Sequence, residues 1–570
     1  MNRKQRRAGA KQGGAVVKPR LPDSGALFAA GLLHHEAGRL DEAERLYRRI
    51  LSQNPDHADS LHQLGIIATQ SGRLDVAAAL IAQAVALNPG EAWFLSNLGA
   101  ILQRQKRLDE ALDCHRRALA LQPDYPAAHN NLGAVLLQQW RLEEAETCFR
   151  RAVALRPDYA EAHSNLGNTL REQRRTEEAI ICQCRAVALS PDSAEAHNSL
   201  GAALQDLGRL DEALACYQRA LSLKPDCVEG HTNLGTALKE LGRLDEAYAC
   251  YHRALSLDPH YPEVHWQYAY ALLWDGRLRD GWEEYEWRWL RTVGQPKIHP
   301  DYAQPLWSGE ATTSGTILLW SEQGFGDAIQ FVRYAPAVAR LGWRVILQTS
   351  RPLHRLFESI PGLAVVPEGA ILPPFDVHCP LLSLPRAFAT TVETIPAPIP
   401  YLHPRPELVA DWRERLAGCR GRKVGLVWRG NPQHNRDRHR SMDPRWFSHF
   451  LDLPGLDGIS LQPDGRAEEL AALGGAEGVL DAGPGLGDYA DTAALVANLD
   501  LVISVDSSVC HLAGALGVPI WTLVDFASEW RWLRGRDDSP WYPTMRLFRQ
   551  PRTGDWHSVV EAVKAALLGL

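Results

Sequence analysis

The stretch AEAHNSLGAALQDLGRLDEALACYQRALSLKPDC, Ala194–Cys227, decides the fold of the first half of the chain. Small and apolar residues recur at helical spacing on both sides of Gly208, and glycine suits the left-handed conformation that often follows a helix end. Pro225 ends the second helical run because proline has no amide hydrogen for the helical ladder. The stretch therefore predicts a hairpin of two helices.

The same pattern returns every 34 residues along the chain. One proline per repeat keeps this spacing without a slip: Pro55, Pro89, Pro123, Pro157, Pro191, Pro225 and Pro259. A period held over this length is typical of a solenoid, in which each hairpin buries its apolar face only against its neighbours. The first half of the chain is therefore predicted to be an elongated α-solenoid.

The period and the order of its residues resemble the tetratricopeptide repeat family over residues 24–295, as eight units. The resemblance implies a surface that holds a partner, and oligomers through the repeats are possible. The last unit has Ala269 at the glycine position and continues into an aromatic run, Trp282–Trp289. We expect this unit to dock onto the next domain through those aromatic side chains.

Polar side chains form a column two residues before the repeat glycines: Asn97, Asn131, Asn165, Ser199 and Asn233, here called the asparagine column. In the tetratricopeptide family this position faces the concave side, and a similar column is found in the O-linked N-acetylglucosamine transferases. Because an amide offers two donors and an acceptor, the column suits an extended peptide backbone. We predict an acceptor polypeptide in the groove. The alternative is that these amides only stabilise neighbouring repeats.

Composition excludes several classes of protein. The chain has 570 residues, which predicts more than one domain, and a net charge of −7, which gives no nucleic-acid footprint. Residues 1–23 read as a disordered basic tail without the apolar core of a secretory signal. No run is apolar and long enough for a membrane span. Five of the ten cysteines recur at the 34-residue period as packing groups, so we expect a reducing, cytoplasmic compartment.

Short apolar runs alternating with helical stretches replace the repeats in the second half. This alternation predicts parallel sheets of the strand–helix–strand type. We expect one Rossmann-like half at residues 313–395, a proline-rich linker at 396–408, and a second Rossmann-like half at 409–570. Residues Ala328–Leu341 are predicted to form one amphipathic helix.

Two loops follow predicted strands, where open parallel sheets bind ligands. The first contains Gln323, Gly324, Gly326 and Asp327, and the second is SVDSSVCHLAGALGVP, Ser504–Pro519. The start of a helix in the second loop favours an anion such as a diphosphate. The alternatives are that Asp327, Ser507 and Ser508 only cap helices, that Asp506 only holds its loop, and that His511 is a satisfied core histidine.

These loops, together with WRGNPQHNRDRHRS (Trp428–Ser441) and SLQ (Ser460–Gln462), resemble the GT-B glycosyltransferases of the heptosyltransferase-like group. The resemblance covers about residues 313–565. It implies that Asp327 is the general base and that Gln323, Gly324 and Gly326 form an acceptor loop. It implies that Arg440, or alternatively Arg429, Arg436 or Arg438, neutralises a diphosphate. The implied donor-binding residues are Arg429, Asn431, Arg440, Ser441, Gln462, Asp506, Ser507, Ser508 and His511.

The function expected from this resemblance is transfer of a sugar from a nucleotide sugar to a polypeptide, with inversion. No metal is expected, because the basic loop and a helix terminus replace its charge, and no cofactor is expected beyond the nucleotide-sugar co-substrate. Two alternatives remain. One is a transferase acting on lipopolysaccharide or another glycan, with the repeats used for assembly. The other is an inactive repeat scaffold. The sequence does not identify the sugar, the nucleotide or the acceptor.

Overall fold

Helical hairpins follow one another from the first described residue. The computed structural model describes residues 24–291, 300–312, 314–396, 398–432, 437–451, 453–465, 467–473 and 479–569. The predicted basic tail lies outside these residues. The chain divides into two compact units, Met1–Leu223 and Lys224–Leu570, which we describe one after the other.

The described part of the first unit consists of paired α-helices. They are α1 (Ser24–Glu36), α2 (Leu40–Gln53), α3 (Ala58–Gln70), α4 (Leu74–Leu87), α5 (Ala92–Arg104), α6 (Leu108–Leu121), α7 (Pro126–Gln138), α8 (Leu142–Leu155), α9 (Ala160–Glu172), α10 (Thr176–Leu189), α11 (Ala194–Asp206) and α12 (Leu210–Leu223). Each pair packs as one hairpin, and successive hairpins pack on one another. The predicted solenoid is confirmed.

The repeat glycine lets the two helices of a hairpin approach closely. In the α5–α6 hairpin, a Cβ on Gly99 would lie 2.7 Å from the imidazole of His115, and in the next hairpin a Cβ on Gly133 would lie 2.7 Å from the ring of Phe149. Neither neighbour is the free end of a flexible side chain. The glycine column is therefore explained by packing.

The turn between the helices of each hairpin requires a positive φ angle. Gly208 has φ 75°, as the sequence predicts. Lys106, Trp140 and Arg174 hold the same turn position in three successive repeats with φ of 64°, 61° and 63°. Because left-handed backbone costs a residue with a Cβ roughly 1 kcal/mol, these three turns carry local strain.

The second unit begins with two more hairpins, α13 (Val228–Glu240) with α14 (Leu244–Leu257) and α15 (Pro262–Trp274) with α16 (Leu278–Tyr285). A short 3₁₀ turn, Glu286–Trp289, follows α16. Trp282 packs edge-on against Phe331 and Trp530, with ring centroids 5.7 and 5.1 Å away. The last repeat thus docks on the α/β part as expected. Trp287 differs, since it stacks on His265 inside the repeat.

A buried ion pair anchors this last repeat. The guanidinium of Arg288 donates to Glu322 at 2.8 Å, to Glu286 at 2.6 Å and to the hydroxyl of Ser383 at 2.7 Å. Glu322 follows the first strand of the sheet, so the repeat is fixed directly to the segment that precedes Asp327. Removing one partner of such a pair would leave a buried charge uncompensated.

Two parallel sheets make up the rest of the second unit. The first has the order β3-β2-β1-β4, from β1 (Thr316–Trp320), β2 (Arg344–Thr349), β3 (Leu363–Pro367) and β4 (Val377–Pro380). The second has the order β10-β9-β8-β5-β6-β7, from β5 (Arg422–Val427), β6 (Leu456–Ser460), β7 (Val479–Asp481), β8 (Leu501–Val505), β9 (Ile520–Val524) and β10 (Met545–Arg549). The order of the six-stranded sheet is that of doubly wound nucleotide-binding folds, so the prediction of a Rossmann-like sheet is confirmed.

Helices connect these strands. They are α17 (Phe325–Phe331), α18 (Ala335–Arg340), α19 (Arg351–Phe357), α20 (Leu384–Ala387), α21 (Pro406–Arg415), α22 (Asp437–Arg440), α23 (Arg445–Leu451), α24 (Ala467–Ala472), α25 (Tyr489–Val496), α26 (Ser508–Leu516) and α27 (Trp556–Leu568). Asp327 lies in the first turn of α17, Arg440 ends α22, and Ser508 begins α26. Each of these helices is the first one after a strand, namely after β1, β5 and β8.

Two boundaries differ from the sequence prediction. The single helix predicted for Ala328–Leu341 is instead α17, a 3₁₀ turn and α18, because Pro336 has no amide hydrogen to continue the ladder. The predicted linker, 396–408, overlaps the start of α21, where Pro406 fits because the first helical position needs no amide donor.

Two buried histidines make the stability of the first unit depend on pH. One of them, His115, packs on the repeat glycine at the position where Phe149 stands in the next repeat. Burial lowers the pKa of His115 to about 4, and burial lowers that of His62 to about 4 as well. Below pH 6.5 the unfolded chain binds protons that the folded one does not, so stability is lost as pH falls from about 6.5 to about 4. The shift at His115 corresponds to roughly 3 kcal/mol at full extent.

We predict that His115→Phe, which copies Phe149 of the next repeat, removes about half of this pH dependence and leaves the part due to His62. The measurement is urea unfolding followed by helical circular dichroism at about pH 7.5 and about pH 5. The reverse change, Phe149→His, should steepen the loss. Equal pH dependence in the native protein and both variants would contradict this explanation.

Candidate functional site

One cavity of about 900 Å³ collects most of the predicted site residues, and all of its lining lies in the second unit. Most of its wall comes from the loops after β1, β5, β6, β8 and β9, with further residues after β2 and β7 and from α15. The neighbours β5 and β8 form the switch point of the six-stranded sheet, where connections leave to opposite sides. Crevices at such points are the usual ligand sites of open parallel sheets.

The start of α26 faces this cavity with Ser507, Ser508 and Val509. Ser507 occupies the N-cap position, but its side chain makes no capping hydrogen bond and instead lies 3.0 Å from the hydroxyl of Ser504. Ser508 shares a 2.6 Å hydrogen bond with the hydroxyl of Tyr489. The alternative that these serines only cap the helix is therefore wrong, and among the described residues no side chain caps the first-turn amides of α26. This arrangement suits an anion.

Arg440 at the end of α22 lies in the cavity wall. Its Nε is 3.3 Å from Oδ1 of Asp437, and its guanidinium packs on Gly430, where a Cβ would be 2.6 Å away. Arg429 also lines the cavity, but its guanidinium is paired with Asp464 at 3.0 Å and with Glu469 at 3.2 Å. Arg436 and the side chain of Arg438 lie outside the described residues. Arg440 is thus the described arginine best placed to meet a diphosphate.

Asp506 follows β8 and is buried in the same wall. Burial raises the pKa of Asp506 to about 6, with Arg440 opposing the rise and Glu529 adding to it. Near neutral pH this carboxyl group is therefore close to its own titration. Its protonation state will respond to any charge that enters the cavity.

His511 belongs to α26 of the six-stranded sheet and lies against α17 of the four-stranded sheet. Its Nδ1 lies 3.0 Å from the hydroxyl of Tyr542, its ring stacks on Trp532, and a Cβ on Gly326 would be 2.8 Å from its Cδ2. Burial holds the pKa of His511 well below its usual value, so the ring is neutral. His511 is thus a core histidine with a hydrogen-bond partner, which was the alternative to a donor-binding role, and it also lines the cavity.

Asp327 stands in the first turn of α17, opposite these groups. One of its carboxylate oxygens accepts the amide hydrogen of Gly324 at 2.9 Å, and the other is paired with Arg531. Arg531 also pairs with Glu529 at 3.0 Å and donates to Gln330 at 3.1 Å. The predicted helix-capping role is therefore present, and it coexists with a position in the cavity wall.

The remaining predicted residues divide into two groups. Gln323, Gly324, Gly326, Asn431 and Gln462 line the cavity. Ser441 does not; its hydroxyl accepts the amide hydrogen of Gly430 at 3.0 Å and so shapes the loop from behind. The strained residue of the first loop is Gln323, with φ 64°, and not one of its glycines.

Several residues of the wall were missed by the sequence analysis. Glu529 and Arg531 follow β9, Tyr489 begins α25, and Tyr270 comes from α15 of the last repeat. The rule that loops after parallel strands carry ligands predicts a role for the segment after β9. Tyr270 had no such signal, because its place depends on the docking of the last repeat.

Asp506, Cys510 and His511 bring ligand atoms within 4.8 Å of one another. The thiol of Cys510 donates to the carbonyl oxygen of Ser507 at 2.7 Å, and burial raises its pKa far above the usual value. Since metals bind the thiolate, this group fits a metal poorly. A metal-independent site remains a prediction.

The asparagine column of the first unit lies half-buried along α5, α7, α9 and α11. Each amide nitrogen reaches one repeat back: Asn97 lies 2.9 Å from His62, Asn131 donates to Ser96 at 3.4 Å, and Asn165 donates to Asn130 at 3.0 Å. These bonds stabilise neighbouring repeats, as the alternative proposed. One bond uses only part of an amide's capacity, so peptide binding stays a prediction. Asn233 lies on α13 of the second unit.

Comparisons with known proteins identify the repeats. A model of the cilia and flagella-associated protein 70 C-terminal domain matches residues 2–232, and a tetratricopeptide repeat model matches residues 228–261. Protein FlbA of Caulobacter vibrioides is 32% identical over 286 residues, which are 46% of this chain and 48% of FlbA. The chain thus spans about half the length of this curated relative. Tetratricopeptide repeats are therefore present.

Solved repeat structures are also similar to this chain. PilF of Pseudomonas aeruginosa is 20% identical with a TM-score of 0.33, covering 36% of this chain and 94% of that one. A thermophilic TPR protein of Thermus thermophilus is 26% identical with a TM-score of 0.30, covering 32% of this chain and 98% of that one. Among the described helices, none is both long and apolar enough to cross a membrane.

We predict that Arg440→Ala weakens binding of a nucleoside diphosphate by about ten-fold or more, because a hydrogen bond to a charged group contributes about 1.5–3 kcal/mol. Calorimetry with a panel of nucleoside diphosphates measures it. Arg445→Ala is the matched control, since Arg445 pairs with Asp443 on an exposed surface. Native affinity in Arg440→Ala would transfer the role to Arg429, Arg436 or Arg438.

Replacing Asn131 and Asn165 together by alanine should weaken binding of a labelled unstructured polypeptide several-fold, at about 1 kcal/mol per hydrogen bond, and leave hydrolysis of the nucleotide sugar unchanged. Fluorescence anisotropy measures binding, and thermal melting corrects for the lost bonds between repeats. The control replaces the exposed amides Gln53 and Gln122. Unchanged affinity in the Asn131/Asn165 variant would leave these amides a structural role alone.

Proposed function

We propose that this protein is a glycosyltransferase that transfers a sugar from a nucleotide-sugar donor to a polypeptide presented by its repeats. The observation that carries the proposal is the convergence of Asp327, Arg440 and the uncapped start of α26 on one cavity. The cavity volume of about 900 Å³ lies within the range of small-molecule sites, which favours a bound donor.

The donor diphosphate is placed at the start of α26 under this proposal. The amides of the first turn and the guanidinium of Arg440 supply hydrogen bonds to its oxygens. Ser507 and Ser508 add hydroxyl groups at the same end of the helix. Most of the negative charge of the diphosphate is thereby offset without a metal ion.

The reaction is a displacement at the anomeric carbon of the sugar. The oxygen of the acceptor hydroxyl forms a new bond to the anomeric carbon. At the same time the bond between that carbon and the diphosphate oxygen breaks, and the diphosphate leaves with the electron pair. The acceptor proton passes to the carboxylate of Asp327, on the side of the cavity formed by α17. Attack from the side opposite the leaving group inverts the configuration, and general-base assistance contributes about 10²–10⁴ in rate.

The ion pair between Asp327 and Arg531 favours a second candidate, an inactive repeat scaffold. The carboxylate oxygen that pairs with the buried Arg531 is already engaged and is not free to meet an acceptor hydroxyl. The transferase requires Arg531 to orient Asp327 while leaving an oxygen accessible to the acceptor. Hydrolysis of a panel of nucleotide sugars separates the candidates, because a scaffold releases no nucleoside diphosphate above background.

Asp327→Asn should lower kcat at least a hundred-fold while donor affinity stays native. The amide keeps an oxygen for the Gly324 hydrogen bond but removes the base. It also leaves the buried Arg531 with one partner fewer, so stability must be measured beside activity.

Arg531→Gln provides the matched control for that loss of pairing. If Asp327 is the base, Arg531→Gln retains more turnover than Asp327→Asn, and the double variant is as inactive as Asp327→Asn alone. Near-native turnover in a folded Asp327→Asn variant would show that Asp327 only caps α17.

A further inference from the structure

A second cavity of about 430 Å³ adjoins the main one on the side of the four-stranded sheet. The two share Gln323, Gly324 and Phe325, the residues that lead into Asp327. The smaller cavity lies at the carboxyl ends of β1, β2 and β3, where Trp320, Gln348 and Glu368 stand. A molecule bound there would present its end to the carboxylate of Asp327.

Aromatic side chains form the walls of this smaller cavity. Trp289 from the last repeat and Trp320 from the end of β1 lie with ring centroids 5.6 Å apart. Phe325, 40% exposed, stands at the passage to the main cavity. Its ring packs edge-on against Tyr489, with ring centroids 5.3 Å apart, so the passage between the two cavities has an aromatic wall.

The polar groups of the cavity suit a peptide backbone. The hydroxyl oxygen of Ser350 is buried and has no hydrogen-bond partner among the described residues. The side-chain oxygen of Gln348 accepts from Tyr302 at 3.1 Å, which leaves its amide nitrogen as a donor. Gln323, on strained backbone with φ 64°, is held by a 3.0 Å hydrogen bond to the hydroxyl of Tyr285. Strain of this kind concentrates at functional sites.

The charge of the described lining disfavours an anionic guest. Among the described residues that line it there is no lysine, arginine or histidine, whereas Glu322 and Glu368 are both present. Arg288 pairs with both Glu322 and Glu286 from behind, so that buried cluster keeps a formal charge of about −1. Glu368 adds a second negative charge at the exposed rim, with no ion pair among the described residues. A phosphorylated glycolipid or an acidic glycan would meet repulsion here and no compensating cation.

We infer that this smaller cavity is the acceptor subsite and that it takes a neutral or basic polypeptide segment. The inference rests on the proposed function for the identity of the reaction, but binding of the segment does not require the donor. The aromatic walls hold side chains, Ser350 and Gln348 hold the backbone, and Glu368 favours positive charge in the part of the segment that lies at the rim.

The test uses three labelled peptides of equal length around one serine, flanked by lysine, glutamine or glutamate. Fluorescence anisotropy with the full chain and no donor measures their affinities. The lysine peptide should bind about ten-fold more tightly than the glutamate peptide. Glu368→Lys should abolish or reverse this order, while Glu561→Lys, a change of equal charge on the exposed face of α27, should leave it unchanged.

A second variant keeps the test decisive if Glu368→Lys does not fold. Phe325→Ala should weaken all three peptides without changing their order. Affinities independent of peptide charge in the native protein, an order unaffected by Glu368→Lys, or tightest competition by an acidic glycan would each overturn the inference. Charge-selective binding without turnover of any nucleotide sugar would instead contradict only the proposed transferase.

Discussion

The direct packing of α17 against α26 brings the two sheets to one cavity. Gly326 permits this approach, because any side chain there would meet the ring of His511, and His511 is itself held by Tyr542 and Trp532. Arg531 adds a charged connection at the same place by pairing with Asp327 of α17 and with Glu529. The loops after β1 and β8 line a common space as a consequence of these contacts.

The charges in that space are arranged in opposition. Arg440 and Arg531 face the carboxyl groups of Asp506, Asp327 and Glu529 in a wall that is largely removed from water. An entering diphosphate would compete with the carboxylates for the arginines and would raise the pKa of Asp506 further above about 6. Donor binding and proton uptake are thereby coupled, and the same competition offers a way to loosen the hold of Arg531 on Asp327.

The sequence predicts the parts of this structure that depend on local pattern. The 34-residue period specifies the hairpins, and the rule for strand ends brings out the loops with Asp327 and Ser508, because both follow strongly apolar strands. The same rule points to the segment after β9, but the role of Arg531 there depends on its pairing with Asp327, far away in the chain. The partners of Asn131 and Asn165 lie one repeat back, and the repeat period alone does not specify them. The break at Pro336, by contrast, could have been predicted from the proline itself.

The central claim is that a nucleotide sugar binds between the start of α26 and Asp327. Its most direct test is a structure of the full chain soaked with the nucleotide sugar that binds most tightly in a calorimetric panel. The account predicts diphosphate oxygens within hydrogen-bond distance of the amides of Ser508 and Val509 and of Arg440, with the anomeric carbon facing Asp327. A donor bound elsewhere, or no binding by any nucleotide sugar, would contradict it.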